Sequence, residues 1–186
     1  MAKKEENAEI EKIKKFDVVF SRGQVFSDKN NEAVSLYNKS RYGEYVEDKL
    51  QYSLVEIMLL LEKGRIRIKD SKKKTIKKND FVKWCHKLDK NFEIRYKVFS
   101  DLRKRGYIVK TALKFGADFR VYDKGIKPGE DHAKWIVYPL KESEKMTLYE
   151  FSAKNRVAHS TRKTLLLAIV DDEGDVSYWN SMWVKP

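Results

Sequence analysis

The chain has 186 residues and a mass of 22.0 kDa, and its 40 basic against 28 acidic residues give a net charge of +12. This surplus favours a polyanionic partner, with nucleic acid as the first candidate. A single cysteine excludes a disulfide framework and a zinc site built from several thiolates, and no apolar run is long enough to span a bilayer. We therefore expect a cytoplasmic protein without a membrane segment, and we expect neither a metal ion nor a cofactor.

Turn and capping residues mark the first elements. The first fifteen residues are strongly charged and are expected to be frayed or helical. Residues 16–26 predict a hairpin with a glycine at its turn. A helix is predicted after Ser53, a good N-cap residue, because Glu56 completes a capping box three positions later and Gly64 provides a stop.

Two further elements complete the first half. Residues 65–69 alternate basic and apolar side chains, as a half-buried strand does. A second helix is predicted to begin with Asn79 or Asp80 as its N-cap and to continue to Leu88. The lysine cluster from Lys72 to Lys78 lies between them and is interpreted as a solvated turn, although its role is left open.

A polar stretch at residues 87–91 is the predicted boundary between an N-terminal α/β domain, residues 1–91, and a C-terminal domain, residues 92–186. The C-terminal domain alternates strands with helices and is predicted to form a mixed sheet, so the whole chain is of the mixed α/β or α+β class. Its predicted elements are helices over 92–104 and 147–158, strands over 107–111, 117–122, 135–138, 162–171 and 176–184, and a turn at 172–175.

Three residues of the second half carry groups suited to metal-free RNA cleavage: Tyr122, His132 and Lys163. Transesterification of a phosphodiester needs a base for the 2′-hydroxyl, an acid for the 5′-oxygen and fixed positive charge beside the phosphorus. A histidine can be the acid, a lysine the charge, and a tyrosine the base if nearby cations lower its pKa. Taken alone, each of the three is more often an ordinary loop or strand-end residue than a functional one, and spacing alone does not show that they converge.

Longer blocks of the second half carry a family resemblance. Residues 107–111 and 114–122, together with 156–163 running into 168–171 and 174–175, resemble the catalytic domain of archaeal tRNA-splicing endonucleases. The first half fits the small N-terminal domain of that family in outline only.

The resemblance implies a mechanism and a substrate. It makes His132 the general acid, Tyr122 the general base and Lys163 the residue that stabilises the transition state, with no metal. Enzymes of this family cut precursor tRNA at a bulge-helix-bulge motif and leave 2′,3′-cyclic phosphate and 5′-hydroxyl ends.

The resemblance also implies a grip on a flipped bulge base by flat side chains from another subunit. Arg156 matches one of these positions, and Tyr178 or Trp179 is expected to supply the other. Guanidinium and aromatic planes stack on any base, so such contacts tolerate sequence changes. Without the resemblance, Arg156 is an ordinary cation near a helix C-terminus.

Assembly is the last property implied. The family forms homotetramers, dimers of fused double-length chains, or heterotetramers with a non-catalytic subunit, and 186 residues are too few for the fused form. An acidic turn is unusual in so basic a chain, and Asp172, Glu173 and Asp175 are expected to bind a basic pocket of a neighbouring subunit. The alternative is a plain surface turn. The apolar C-terminal strand suits either a dimer interface or the core.

Two other functions are weighed against the endonuclease. The first is a non-catalytic, RNA-binding structural subunit of the same assembly, which the presence of all three catalytic-type residues argues against. The second is a metal-dependent DNA nuclease in which Asp118 holds the metal. That site needs a further carboxylate followed two residues later by lysine on a strand, and the sequence offers no such strand beside Asp118.

Overall fold

The computed structural model of the chain describes residues 14–112, 116–129 and 131–184. Within these ranges the chain forms five helices and ten strands, in two compact units that divide between Phe92 and Glu93. The predictions made for the first thirteen residues, and the Lys114 and Phe115 positions of the family resemblance, lie outside the described residues.

The N-terminal unit is built on a five-stranded sheet with the order β3-β4-β2-β1-β5. Strands β1 and β5 are parallel, and the other neighbours are antiparallel. The elements are β1 (Phe16–Ser21), β2 (Gln24–Asp28), α1 (Asn31–Ser40), β3 (Glu44–Val46), β4 (Lys49–Tyr52), α2 (Leu54–Glu62), β5 (Ile66–Lys69) and α3 (Lys78–Leu88).

The hairpin and the first predicted helix are confirmed in this unit. Arg22 and Gly23 both have positive φ, 50° and 78°, as the two central residues of a type I′ turn require. Helix α2 begins after Ser53, whose backbone N–H donates to Glu56 Oε2 at 2.9 Å while its hydroxyl accepts from the Glu56 amide. This helix is strongly apolar but has nine residues, and in the described part of the chain no helix is long and apolar enough to cross a membrane.

Four elements of this unit differ from the sequence predictions. Helix α3 begins at Lys78, so the predicted start at Asn79 or Asp80 is wrong, and Lys77 is an N-cap without a side-chain bond. Asp80 instead lies in the first turn, where a carboxylate is favourable beside the positive end of the helix dipole. Helix α1 and the short strands β3 and β4 were not predicted.

The C-terminal unit carries a second five-stranded sheet, with the order β10-β9-β8-β7-β6. Strands β8 and β9 are parallel and are connected through a helix, and the other neighbours are antiparallel, which confirms the predicted mixed sheet. The elements are α4 (Phe92–Lys104), β6 (Ile108–Thr111), β7 (Phe119–Tyr122), β8 (Trp135–Lys141), α5 (Leu148–Ser160), β9 (Thr164–Val170) and β10 (Val176–Ser181). Strand β10 is three residues shorter at its end than predicted.

The strand register sorts the core of this unit onto two faces of the sheet. Ile136 lies opposite Leu165, and these residues form a buried cluster with Tyr138 and with Ala158 of α5. Because alternate side chains point to opposite faces, Phe119 belongs to the other face, where its ring packs 5.9 Å from the Phe99 ring of α4. The sheet is therefore covered by α5 on one face and by α4 on the other.

Candidate active site

The three residues proposed for catalysis lie around one pocket. Tyr122, His132 and Lys163 line a cavity of about 360 Å³. Arg120, Gly129, Asp131 and Ala133 complete the lining. The structure thus brings together side chains that are 10 and 31 positions apart in sequence.

Sheet pairing explains the convergence. Val121 of β7 pairs with Trp135 of β8, and Trp135 pairs with Thr164 of β9. Backbone bonds extend this pairing to the edge, because the Lys134 amide donates to the Val121 carbonyl at 2.9 Å and the Thr164 amide donates to the Lys134 carbonyl at 3.0 Å. The end of β7, which carries Tyr122, and the start of β9, which follows Lys163, therefore lie at the same edge of the sheet on either side of β8.

His132 lies in the loop between β7 and β8, and local bonds fix that loop at both ends. Asp123 accepts a bond from Lys134 Nζ at 2.8 Å, and this bond, with a second from the Lys124 amide, lowers the pKa of the Asp123 carboxyl. Near the other end, Gly129 has a φ of 96°, which L residues rarely adopt, and the Asp131 carboxylate accepts from the His132 amide at 2.6 Å. The exposed imidazole is thus carried by a constrained loop.

The end of helix α5 positions Lys163. The Lys163 amide donates to the Ala158 carbonyl at 2.8 Å, and the Arg162 amide donates to the His159 carbonyl at 3.0 Å. This pair of bonds is a Schellman motif, in which the residue after the C-cap takes a left-handed conformation. Arg162 has the required positive φ, 55°, without being a glycine.

The pocket carries a net positive charge, because among the residues described its lining holds the cations Arg120 and Lys163 against the single carboxylate of Asp131. Lys163 is half-buried, and its Nζ donates to the Thr161 carbonyl at 2.7 Å. Loss of hydration and, secondly, the nearby Arg120 guanidinium lower the pKa of this lysine. Tyr122 is buried at the same edge. Two fixed cations beside a phenol and an imidazole form a site that can accept an anionic phosphate.

Arg156 lies in a different cavity, between α5 and the chain that follows β10. This cavity has a volume of about 740 Å³ and is also lined by His159 and Trp183. The His159 and Trp183 rings meet at a centroid distance of 4.8 Å, and the indole stays 61% exposed. The sequence did not indicate that Trp183 lines the same cavity as Arg156, because this placement depends on strand β10 ending at Ser181.

Neither aromatic residue expected beside Arg156 lines this cavity. The Tyr178 hydroxyl donates to Asp101 Oδ2 at 2.7 Å, and the Arg105 guanidinium lies 5.5 Å from its ring centroid. Burial, together with the bond to Asp101, raises the pKa of the Tyr178 hydroxyl. Trp179 is exposed on the opposite face of β10.

The acidic turn connects β9 and β10. The Asp171 amide donates to the Asp175 carbonyl at 3.1 Å, and the Asp175 amide donates to Asp171 Oδ1 at 2.8 Å. Asp171 therefore holds the turn, while the side chains of Asp172, Glu173 and Asp175 are exposed.

Asp118, on which the DNA-nuclease alternative depended, does not line the pocket of Tyr122, His132 and Lys163. Its carboxylate pairs with Arg95 Nε at 2.9 Å. Among the residues that the structure describes, no group of three or more histidine, cysteine, aspartate or glutamate side chains is placed to hold a metal ion.

Comparison with known families decides the relationship. The model of the tRNA intron endonuclease catalytic C-terminal domain matches residues 92–178, and that of the tRNA intron endonuclease N-terminal domain matches residues 17–82. The chain belongs to the tRNA intron endonuclease family. This confirms the predicted resemblance and the enzyme class, an endoribonuclease, and the match through the catalytic domain does not favour the non-catalytic alternative.

Archaeal relatives cover most of the chain. The tRNA-splicing endonuclease of Pyrococcus horikoshii is 42% identical over 172 residues, which are 92% of this chain and 98% of the relative. That of Nanoarchaeum equitans is 46% identical over 147 residues, 76% of this chain and 93% of the relative. That of Methanothermobacter thermautotrophicus is 39% identical over 152 residues, 81% and 87% of the two chains.

Proposed function

We propose that the chain excises introns from precursor tRNA at bulge-helix-bulge motifs by metal-independent transesterification. The observation that carries the proposal is the convergence of Tyr122, His132 and Lys163 on one cationic pocket. Family membership supports tRNA as the RNA class, and a cytoplasmic location is part of the proposal.

In the proposed mechanism the three side chains divide the work. The Tyr122 oxygen removes the proton of the 2′-hydroxyl, and the 2′-oxygen forms a bond to the adjacent phosphorus. His132 donates a proton to the 5′-oxygen as the bond from phosphorus to that oxygen breaks. Lys163 stabilises the additional negative charge on the non-bridging oxygens. Tyr122 takes up one proton and His132 releases one, so the step balances. The products are a 2′,3′-cyclic phosphate and a 5′-hydroxyl.

Cleavage of a labelled bulge-helix-bulge precursor tRNA in EDTA, with analysis of the new ends, tests this proposal. Excision by the purified chain alone, with cyclic phosphate ends, is expected for a homotetramer. Excision only after a structural subunit is added indicates a heterotetramer. Absence of cleavage in both cases contradicts the function, and cleavage that requires magnesium contradicts the metal-independent mechanism.

For the flipped bulge base, we propose Arg156 and Trp183 as the stacking pair. Both line the larger cavity, and the exposed indole offers a flat face to a base. Trp183→Ala is expected to weaken binding of a bulged substrate by about tenfold, and Trp183→Phe by less. Equal affinities of the two variants and the unmodified chain would contradict the stacking role.

For the assembly, we propose a tetramer, made either of this chain alone or with a structural subunit, held by the acidic turn. Three exposed carboxylates in a chain of charge +12 favour a basic receptor on a neighbouring subunit. The double variant Asp172→Lys/Glu173→Lys is expected to form dimers in light scattering at moderate salt. Glu142→Lys/Glu144→Lys, at two other exposed carboxylates, is the matched control. A tetramer unchanged by the first variant would contradict the role of the turn.

A further inference from the structure

Charge is distributed very unevenly between the two ends of the N-terminal sheet. Residues 63–90, which contain the edge strand β5 and helix α3, hold twelve lysine and arginine residues and three aspartates, a surplus of nine out of the chain's +12. Residues 28–56, which contain the opposite edge strand β3, hold four basic and six acidic residues. The positive surplus of the chain is therefore concentrated in the segment that carries β5 and α3, which is distant in sequence from the residues proposed for catalysis.

The lysine cluster at this end forms an ordered turn. Asp70 Oδ1 accepts the amides of Lys72 and Lys74 at 2.9 and 2.8 Å, and the Asp70 amide donates to the Lys74 carbonyl at 2.9 Å. Lys73 has a φ of 64°, a conformation that favours glycine. Because the carboxylate of Asp70 is bonded to backbone amides, it organises the turn, and the three exposed ammonium groups point to solvent.

Some cations of this end are matched by carboxylates, and others are not. Arg67 and Lys69 pair with Asp17, and Lys78 pairs with Glu62 at 2.9 Å. Within residues 14–112, 116–129 and 131–184, six exposed lysines between the end of β5 and the end of α3 lie in no ion pair with a carboxylate. They are Lys72, Lys73, Lys74, Lys77, Lys83 and Lys87.

An exposed aromatic ring accompanies these lysines on α3. The Trp84 side chain is 50% exposed, and its ring rests against Phe20 with a centroid distance of 5.7 Å. Lys87 Nζ lies 6.0 Å from the centroid of the Trp84 ring. A half-exposed indole that is held by a ring contact and has a cation beside it offers a surface on which an unpaired base can stack.

We propose that these six lysines and Trp84, the lysine surface, bind the precursor RNA outside the catalytic pocket. The lysines neutralise backbone phosphates and Trp84 stacks on an unpaired base. RNA fits better than an acidic protein segment because the site combines many unmatched ammonium groups with an exposed indole. The choice of precursor tRNA as the RNA rests on the proposed function.

The decisive measurement is the salt dependence of RNA binding. Lys72→Gln/Lys73→Gln/Lys74→Gln is compared with Lys29→Gln/Lys39→Gln/Lys49→Gln, which removes the same charge from exposed positions of the same unit outside residues 63–90. Binding of labelled precursor tRNA is followed by fluorescence anisotropy in EDTA, with His132→Ala in every protein to prevent cleavage.

The first triple variant is expected to bind about tenfold more weakly at 0.1 M salt. The negative slope of the logarithm of the association constant against the logarithm of the salt concentration should become less steep by about 2 to 3, near 0.9 for each lost phosphate contact. The control should change affinity by less than about twofold. Equal slopes for the two triple variants would overturn the proposal. Melting curves establish that both variants are folded.

Single-turnover cleavage separates this proposal from the proposed function. With His132 restored, the first triple variant should need about tenfold more enzyme for half-saturation and reach the unmodified rate. A reduced rate at saturation with unchanged half-saturation would overturn the lysine surface. If the unmodified chain fails to cleave, the proposed function fails, whereas the binding experiment still tests the surface.

Trp84 is tested by two substitutions. Trp84→Ala should weaken RNA binding at least about fivefold, and Trp84→Phe, which keeps a ring against Phe20, should retain most of the affinity. Equal affinity of the alanine variant and the unmodified chain would remove Trp84 from the surface.

Discussion

In both sheets the parallel strand pair begins with an equivalent backbone hydrogen bond, but the side chains beside that bond differ in character. In the N-terminal unit the Phe16 amide donates to the Arg65 carbonyl at 3.1 Å, and Phe16 and Ile66 fill the edge as buried apolar residues. In the C-terminal unit the Thr164 amide donates to the Lys134 carbonyl, and Lys163 next to it lines an accessible pocket. Strand pairing alone therefore does not create a functional site. The side chains at the edge of the sheet determine whether that edge becomes part of the core or lines a pocket.

The largest effect is expected at the C-terminal edge. His132→Ala should lower the single-turnover cleavage rate by about 10²–10⁴-fold, because the 5′-oxygen loses the proton donor proposed for it. RNA affinity should stay within about twofold, since the imidazole is exposed and contributes little to phosphate binding.

His86→Ala is the matched control, because it removes another exposed imidazole from a position outside the pocket. A rate for His132→Ala close to that of the control would remove His132 from the mechanism.

The corresponding change at the N-terminal edge should affect stability instead. Ile66→Ala leaves a cavity at a fully buried position and is expected to cost about 2–4 kcal/mol of unfolding free energy. Urea titration measures the loss, and cleavage per folded molecule at low temperature should stay within about twofold of the unmodified chain. A large loss of cleavage without loss of stability would show that the comparison between the edges is wrong.

A smaller change in stability, of opposite sign, is expected for Lys163→Met. Burial and Arg120 lower the pKa of this lysine, so holding it in its charged form at neutral pH costs the folded state some stability. Removing the charge should raise the melting temperature by roughly 1–3 °C and should abolish most of the cleavage. The gain should shrink as the pH rises through the lowered pKa, because the unmodified lysine is then neutral as well.

The exposed Lys145→Met serves as the reference for Lys163→Met, with no change expected in either quantity. A lower melting temperature for Lys163→Met would contradict the cost assigned to the pocket.

The smallest effect concerns the charged residues beside the N-terminal edge, which pair with one another. Bonds from Lys69 and then Arg67 lower the pKa of Asp17, which is partly exposed. Asp17→Asn should therefore cost less than about 1 kcal/mol at pH 7. The difference in unfolding free energy between the variant and the unmodified chain should be complete above the ordinary pKa of 3.8. It should disappear as the pH falls through the lower pKa that Asp17 has in the folded state. Urea titrations at both ends of this range test it, and a difference that persists in acid would exclude the ion pairs as its cause.

The sequence predicted elements well where a local signal carries the physics. The boxes at Ser53 and Thr147 fix helix starts because cap and partner lie three residues apart. Helix α3 was placed too late because Lys77 has no capping side chain to mark its start. The edge strand β3 is exposed along its whole length and therefore shows no apolar alternation.

The candidate site was predictable in its residues and not in its arrangement. Tyr122, His132 and Lys163 were identified from their chemistry and the family resemblance, but their convergence depends on the register of three strands. The pairing of Arg156 with Trp183 was missed because it depends on where β10 ends and how the chain returns to α5. Such long-range geometry leaves no periodic signal in the chain.

The helix stop at Arg162 limits how chains of this kind can vary in length. Arg156 lies within α5, and the Lys163 amide is bonded to the last turn of the same helix. Each inserted or deleted residue would shift one relative to the other by about 1.5 Å along the axis and rotate it by about 100°. Insertions and deletions are therefore expected in the exposed connection at residues 142–147 and should be excluded between positions 156 and 163.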